Sequence, residues 1–153
     1  MRDYSVLYSF MGGTDGTNPY ARLIFDASGN LYGTTIGGGA SNAGTVFKIS
    51  SAGAYSVLYF FTGGSDGANP YAGLIFDASG NLYGTTWGGG ASHLGTVFKI
   101  SSSGAYSALH SFAFGLDGVR PEAGLIFDAS GNLYGTTGYG GASGNGTVFR
   151  IVP

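Results

Sequence analysis

The sequence predicts an all-β protein made of three copies of one unit, and three observations carry that reading. The segment LIFDASGNLYGTT occurs at Leu23–Thr35, Leu74–Thr86 and Leu125–Thr137, a spacing of 51 residues that accounts for the full 153. Recurrence at such a period marks an array of supersecondary units, none of which can bury its apolar face alone. Composition is the second observation. Glycine fills 31 positions, 15% of residues are aromatic and only 9% are charged, against about 25% charged in an average soluble domain. So little Lys and Glu leaves scant material for solvent-facing helices, whereas Tyr, Phe, Val, Ile and Thr suit half-buried strands. Third, each copy divides into four short strand-like segments, and none has helical periodicity.

In the first copy the expected first strand is Ala21–Asp26, ended by the turn Ala27-Ser28-Gly29-Asn30. Leu31–Thr35 follows as the second strand of a tight hairpin, in which Gly29 and Asn30 tolerate positive φ. A glycine-rich loop, Gly37–Gly44, leads to Thr45–Ile49. There Val46 and Lys48 alternate with Phe47 and Ile49, the period-2 pattern of a strand with two unlike faces. After the turn Ser50–Gly53 comes the fourth strand, Tyr55–Phe61, whose counterpart Tyr4–Phe10 opens the chain. A loop through Asp66-Gly67 and Asn69-Pro70 returns to the next copy. Four short antiparallel strands per unit describe a propeller blade. The expectation is one domain, 1–153, with repeats at about 3–53, 54–104 and 105–153. A β-trefoil monomer is the alternative, since it too is built from three repeats of four strands. The aliphatic first strand and aromatic-Gly second strand are closer to the inner hairpin of a blade.

The ends of the chain are out of phase with its blades. It opens on the fourth-type segment Tyr4–Phe10 and closes on the third-type segment Thr147–Ile151, so each end exposes an unpaired sheet edge. Three blades are too few for a ring, which typically has four to eight. Two chains supply six. The expected partner is therefore a second copy, in a homodimer whose N-terminal strands Tyr4–Phe10 complete each other's last blade under C2 symmetry.

Several function classes are excluded. A net charge of −2 with six Lys and Arg is not a nucleic-acid surface, which needs clustered basic groups. No apolar run approaches the roughly 20 residues of a membrane span. The absence of cysteine excludes disulfides and thiolate metal sites. The opening Met-Arg-Asp runs straight into a repeat, so no signal peptide is expected within these residues.

Candidate chemistry is sparse, and no catalytic residue, metal or cofactor is expected. Asp26 to Asn30 has oxygens at alternate positions, as calcium loops do, but lacks the glycine and the bidentate glutamate of such loops. A hairpin turn capped by its own side chains explains it, and likewise Asp77–Asn81 and Asp128–Asn132. The runs Gly37–Gly39 and Gly88–Gly90 precede no Lys-Ser/Thr and no helix, so they are expected to allow close backbone approach between blades rather than to cradle phosphate. Asp15, Asp66 and Asp117 read as turn residues. His93 and His110 have no Ser or Asp partner at a recognisable catalytic spacing, and Glu122 is the only glutamate, which leaves no pair for acid–base work.

The signature GLIFDASGNLYGTT, followed by a glycine run and GTVFKI (Gly73–Ile100 is the fullest copy), resembles the GloVer repeat of bacterial, often surface-exported proteins. Its first hairpin is also similar to blades of NHL and gluconolactonase-like propellers. Departures are small: Arg22 replaces the glycine at Gly73 and Gly124, and the third copy moves its aromatic to Gly138-Tyr139. The resemblance implies a propeller-like repeat protein at the cell surface or outside the cell, and it carries no activity.

Any binding site is expected where the copies differ. Copies one and two differ at nine positions between Tyr4–Gly53 and Tyr55–Gly104, among them Ile36/Trp87, Asn42/His93 and Ala43/Leu94. All three fall on the loop after the second strand, where the third copy has Tyr139 and Asn145. Aromatic faces beside small amides and hydroxyls suit a saccharide, so Trp87, His93, Tyr139 and Asn145 are candidates, with Tyr20 and Tyr71 as a second exposed aromatic pair. The expected function is a non-catalytic module that self-assembles into a ring and serves as a structural or interaction scaffold. A lectin-like binder is the alternative.

Overall fold

The computed structural model describes residues 2–153. It contains three antiparallel sheets and, among the described residues, no helix. The first sheet is β1 (Ile24–Phe25), β2 (Leu31–Thr35), β3 (Thr45–Ile49) and β4 (Tyr55–Phe60) in that order. The second repeats it as β5 (Ile75–Phe76), β6 (Leu82–Thr86), β7 (Thr96–Ile100) and β8 (Tyr106–Ser111). The third has β9 (Ile126–Phe127), β10 (Leu133–Thr137) and β11 (Thr147–Ile151). Each sheet is made of strands consecutive in the chain, the fourth taken from the start of the next repeat, which is the arrangement of propeller blades and sets the trefoil aside.

Sequence and structure agree on the second and third strands to the residue. The first strand shrinks to two residues, because the segment before it turns toward its counterparts in the next blade. Gly73 lies so close to Arg22 that a β-carbon there would be 2.8 Å from the Arg22 Cγ. The rings of Tyr20 and Tyr71 meet with centroids 6.3 Å apart. Positions related by rotation can touch only near the axis, so residues 20–23 and β1 form the inner edge of the blade and β4 the outer edge.

The core lies between blades. Tyr32, Val46, Ile24 and Leu58 of the first blade pack against Leu74, Leu82, Phe98 and Ile100 of the second. The second junction repeats this with Tyr83, Val97, Leu125 and Leu133. At each junction an edge-to-face aromatic pair closes the lower end: Tyr32 with Phe76 at 5.0 Å and Tyr83 with Phe127 at 5.1 Å. Gly84 admits this packing by having no side chain, since a β-carbon would sit 2.7 Å from the Phe98 ring and 2.9 Å from Leu74.

A bulge fixes the outer strand. Val46 faces Tyr59 and Phe47 faces Val57, so Leu58 is an extra residue; Val97, Phe98 and Leu109 repeat the device. Bulges bend and twist the strand that carries them, and here the extra leucine is delivered into the junction core.

The ends differ from the middle. Tyr4–Phe10 pairs with no strand within the chain, as its place outside any complete blade leads one to expect. Of the six phenylalanines of the first and third strands, Phe47 and Phe98 are buried, Phe76, Phe127 and Phe149 are half-buried, and Phe25 is exposed. Phe25 has no preceding blade to cover it, whereas Phe76 and Phe127 each meet a tyrosine of the blade before. The trailing face shows the same deficit, with Val46 and Val97 fully buried but Val148 80% exposed.

Phe98→Ala should cost about 3–5 kcal/mol of unfolding free energy. Gly84→Ala should cost about 1–3 kcal/mol by overpacking, while Gly13→Ala, where a β-carbon meets nothing within 4 Å, should be near neutral. Urea titration of the three variants against the parent checks the ranking.

Candidate functional site

The two ends of the blades carry different chemistry. At one end, the β1–β2 hairpin turn is locked by its aspartate. Asp26 accepts the backbone N–H of Ser28 and Asn30 at 2.9 Å, the Asn30 side-chain amide at 2.7 Å and the Tyr32 hydroxyl at 2.9 Å. Asp77 and Asp128 repeat these bonds. Every such carboxylate is consumed by its own turn. Led by the side-chain amides of Asn30 and Asn132, these bonds hold the Asp26 and Asp128 carboxyls at about 2.

At the same end of each unit as the glycine-rich loop, a second aspartate holds the incoming linker. The Tyr8 hydroxyl donates to Asp15 at 2.9 Å and the Tyr59 hydroxyl to Asp66 at 3.0 Å. In the third copy His110 takes the tyrosine's place, with Nε2 2.9 Å from both oxygens of Asp117. His110 therefore does have an aspartate partner. The signal was the seven-residue spacing shared with the two Tyr–Asp pairs, and that parentage marks it as a structural bond. The glycine run makes its close approach to this linker, not between blades. A β-carbon at Gly89 (φ +67°) would be 2.5 Å from the Gly67 backbone.

The same end also gathers the aromatic residues nearest the axis. Tyr20, Tyr71, Trp87 and Glu122 line an open cavity of about 360 Å³. Tyr71 and Trp87 meet at 6.2 Å between ring centroids. The Trp87 Nε1–H donates to Glu122 Oε1 at 3.1 Å, and the Arg120 guanidinium lies over the indole at 4.3 Å. Three sequence candidates, Tyr20, Tyr71 and Trp87, thus come together here. His93 and Asn145 are exposed loop residues and Tyr139, 57% exposed, lies beside Val119; none of them lines this cavity. Arg120 and Glu122 were missed as site residues, although their positions betray them. Counting by the repeat, Glu122 aligns with Tyr20 and Tyr71, and Arg120 with Asn18 and Asn69. Trp87 is half-buried at the second blade junction and still presents an edge to the cavity.

With this geometry in view, comparison with known proteins is informative about kinship. The profile of the Gloeobacter/Verrucomicrobia repeat matches residues 1–153. The chain belongs to that family. Structurally it is similar to a virginiamycin B lyase from Staphylococcus aureus, at 15% identity and a TM-score of 0.56, over 90% of this chain and 42% of the lyase. It is also similar to a protein named as a gluconolactonase, at 18% identity and a TM-score of 0.49, over 86% of this chain and 47% of that one. The chain thus spans less than half the length of either. No curated protein matches its sequence. The likeness to the lyase establishes the propeller fold, and the family profile agrees with the GloVer resemblance of the repeats.

The turn aspartates make acid sensitivity predictable. Their folded pKa lies below the unfolded value of about 3.9, so their stabilisation is present above pH 4 and is lost as pH falls toward 2. Urea midpoints should hold down to about pH 4 and then drop, and Asp128→Asn should flatten part of that drop. Carboxyl carbon chemical shifts followed by NMR would show Asp26 and Asp128 titrating last.

Proposed function

We propose that this chain is a non-catalytic structural module that joins a second copy into a closed six-bladed ring. The observation that carries this reading is the seating of the N-terminal segment. Tyr8 stacks on Tyr55 at 3.9 Å, as Tyr59 stacks on Tyr106 at 4.3 Å. Phe10 meets Phe47 at 5.2 Å, as Phe61 meets Phe98 and Phe112 meets Phe149 at 5.2 Å. The Tyr55 hydroxyl donates to the Asp15 carbonyl, as that of Tyr106 donates to Asp66. Tyr8 and Phe10 therefore sit where the outer strand of a preceding blade would place them, and the segment 4–10 lacks the third strand that would pair with it. The strand of that type without a mate is β11.

The faces support the same occupant. An apolar groove of about 270 Å³ beside Leu7, Phe10, Leu23, Leu31, Phe47 and Ile49 is built from the repeat counterparts of Leu58, Phe61, Leu74, Leu82, Phe98 and Ile100, which fill the first junction. The uncovered Ile126 and Val148, 66% and 80% exposed, correspond to Ile24 and Val46 on the surface that covers it. Transferring the internal pairing by the repeat places Val148 opposite Tyr8 and Phe149 opposite Val6, with Leu7 as the bulge residue. Phe25 would meet Tyr134 of the other copy. Such an interface is head-to-tail, and two of them close a ring of two chains. The absence of catalysis is supported by the engagement of the aspartates in turns and linkers, which leaves them unsuited to shuttle protons.

Light scattering after size exclusion should give twice the chain mass of 15.5 kDa. Val148→Asp places a charge at the centre of the junction, and Phe25→Ala removes its aromatic contact; both should shift the mass toward the monomer while the β-type circular dichroism persists. A stable 15.5 kDa species from the parent chain, or a dimer indifferent to Val148→Asp, would overturn the reading.

A further inference from the structure

Near-identical repeats cannot build an asymmetric site except from their departures, and three departures meet at one place. Trp87 stands where the other copies have Ile36 and Gly138, Arg120 where they have Asn18 and Asn69, and Glu122 where they have Tyr20 and Tyr71. The tryptophan comes from the second copy and the two charged residues from the third, yet the indole is held by both.

Arg120 is the costly member. It has φ +57°, matching Asn18 and Asn69 at +57° and +56°. Asparagine tolerates this left-handed backbone far better than arginine does. At the first junction Asn69 also repays its place by donating its side-chain amide to the Ile36 carbonyl at 2.9 Å. Arg120 gives up that bond and places its guanidinium over Trp87 instead. Backbone strain retained at one copy only is a pointer to function.

The chemistry of the cluster defines what it would hold. Tyr20, 79% exposed, and Tyr71 line the cavity, and tyrosine rings are suited to stacking on the C–H face of a pyranose. Glu122 has one oxygen on the indole N–H, and its other oxygen and the Arg120 guanidinium make no ion pair among the described residues. They can accept from and donate to hydroxyl groups. Because the two charges balance, a cationic ligand would meet Arg120 and an anionic one Glu122. The cavity of about 360 Å³ falls at the small end of ligand sites and is open to solvent, as a chain of sugars requires.

We propose that Tyr20, Tyr71, Trp87, Arg120 and Glu122 form a binding site for a neutral oligosaccharide, stacked on the tyrosines and oriented by the Arg120–Glu122 pair. All five side chains belong to one chain, so the site does not rest on ring closure.

Trp87 is the only tryptophan and reports on its own site. The full chain would be titrated with cellohexaose, xylohexaose, mannohexaose and chitohexaose while indole fluorescence is followed. At least one should give a saturable change. Glu122→Gln, which preserves shape on an exposed position, and Tyr71→Ala should each weaken that binding at least tenfold by calorimetry. Arg120→Asn, which restores the residue of the other copies, should weaken binding while leaving the melting temperature unchanged or raised. Fluorescence indifferent to all four sugars would overturn the proposal, as would binding that Glu122→Gln and Tyr71→Ala both leave intact. A response to tetramethylammonium or to a hexauronate with none to the neutral sugars would overturn it as well. The mass of the assembly, measured alongside, separates these outcomes from any failure of the ring.

Discussion

Everything in this molecule depends on one contact repeated along the chain, the face of one blade against the back of the next. A single sheet of 51 residues cannot bury its aromatics, and the fully buried side chains, Phe47, Phe61, Phe98 and Phe112 among them, are those that a neighbouring blade or linker covers. Stability in such an array is approximately a sum of nearest-neighbour terms. The end units are then the weak members, and the gradient of exposure from Val46 and Val97 to Val148 is the direct expression of that rule. The low charge of the sequence has the same origin. Sheets covered on both faces leave few places for Lys or Glu.

The hydrogen-bonded turns perform a separate task. Asp26, Asp77 and Asp128 satisfy the donors of their hairpins locally, and Asn30 reaches across to the Ser51 N–H to tie this hairpin to the turn that follows β3. Each blade therefore has its strand ends fixed without help from its neighbours, while its faces depend on them. Within the thirteen-residue signature Tyr32 joins the two tasks, its hydroxyl on Asp26 and its ring in the junction core.

Much of the fold was legible because period-2 alternation and turn chemistry are local signals. Leu31–Thr35 could be read to the residue from the hairpin turn before it and the glycine run after it, and Thr45–Ile49 from its two unlike faces. The first strand could not, because residues 21–23 look strand-like yet are drawn off the sheet by the axis, a constraint that appears only when three copies are placed around it. The aspartate turns were read as turns for the right reason. The aromatic cluster was half legible: Tyr20, Tyr71 and Trp87 stood out as aromatics on polar loops, whereas His93, Tyr139 and Asn145 share Trp87's loop in sequence but not its position in space. Arg120 and Glu122 were overlooked because they come from another copy, 33 and 35 residues beyond Trp87. Aligning the repeats by column, rather than reading along the chain, brings them into the same row.

The bulge at Leu58 and Leu109 has a consequence beyond the bend it introduces. A regular strand laid against β11 would match Thr147 and Val148 and then fall one residue out of step, turning its apolar side chains to solvent. In the proposed ring the strand laid against β11 carries one surplus residue at that point, as β4 and β8 do, and the repeat assigns that place to Leu7. In the ring proposed above, the rim of the last blade would thus select its mate by arithmetic, fitting the beginning of a chain like itself better than a generic edge.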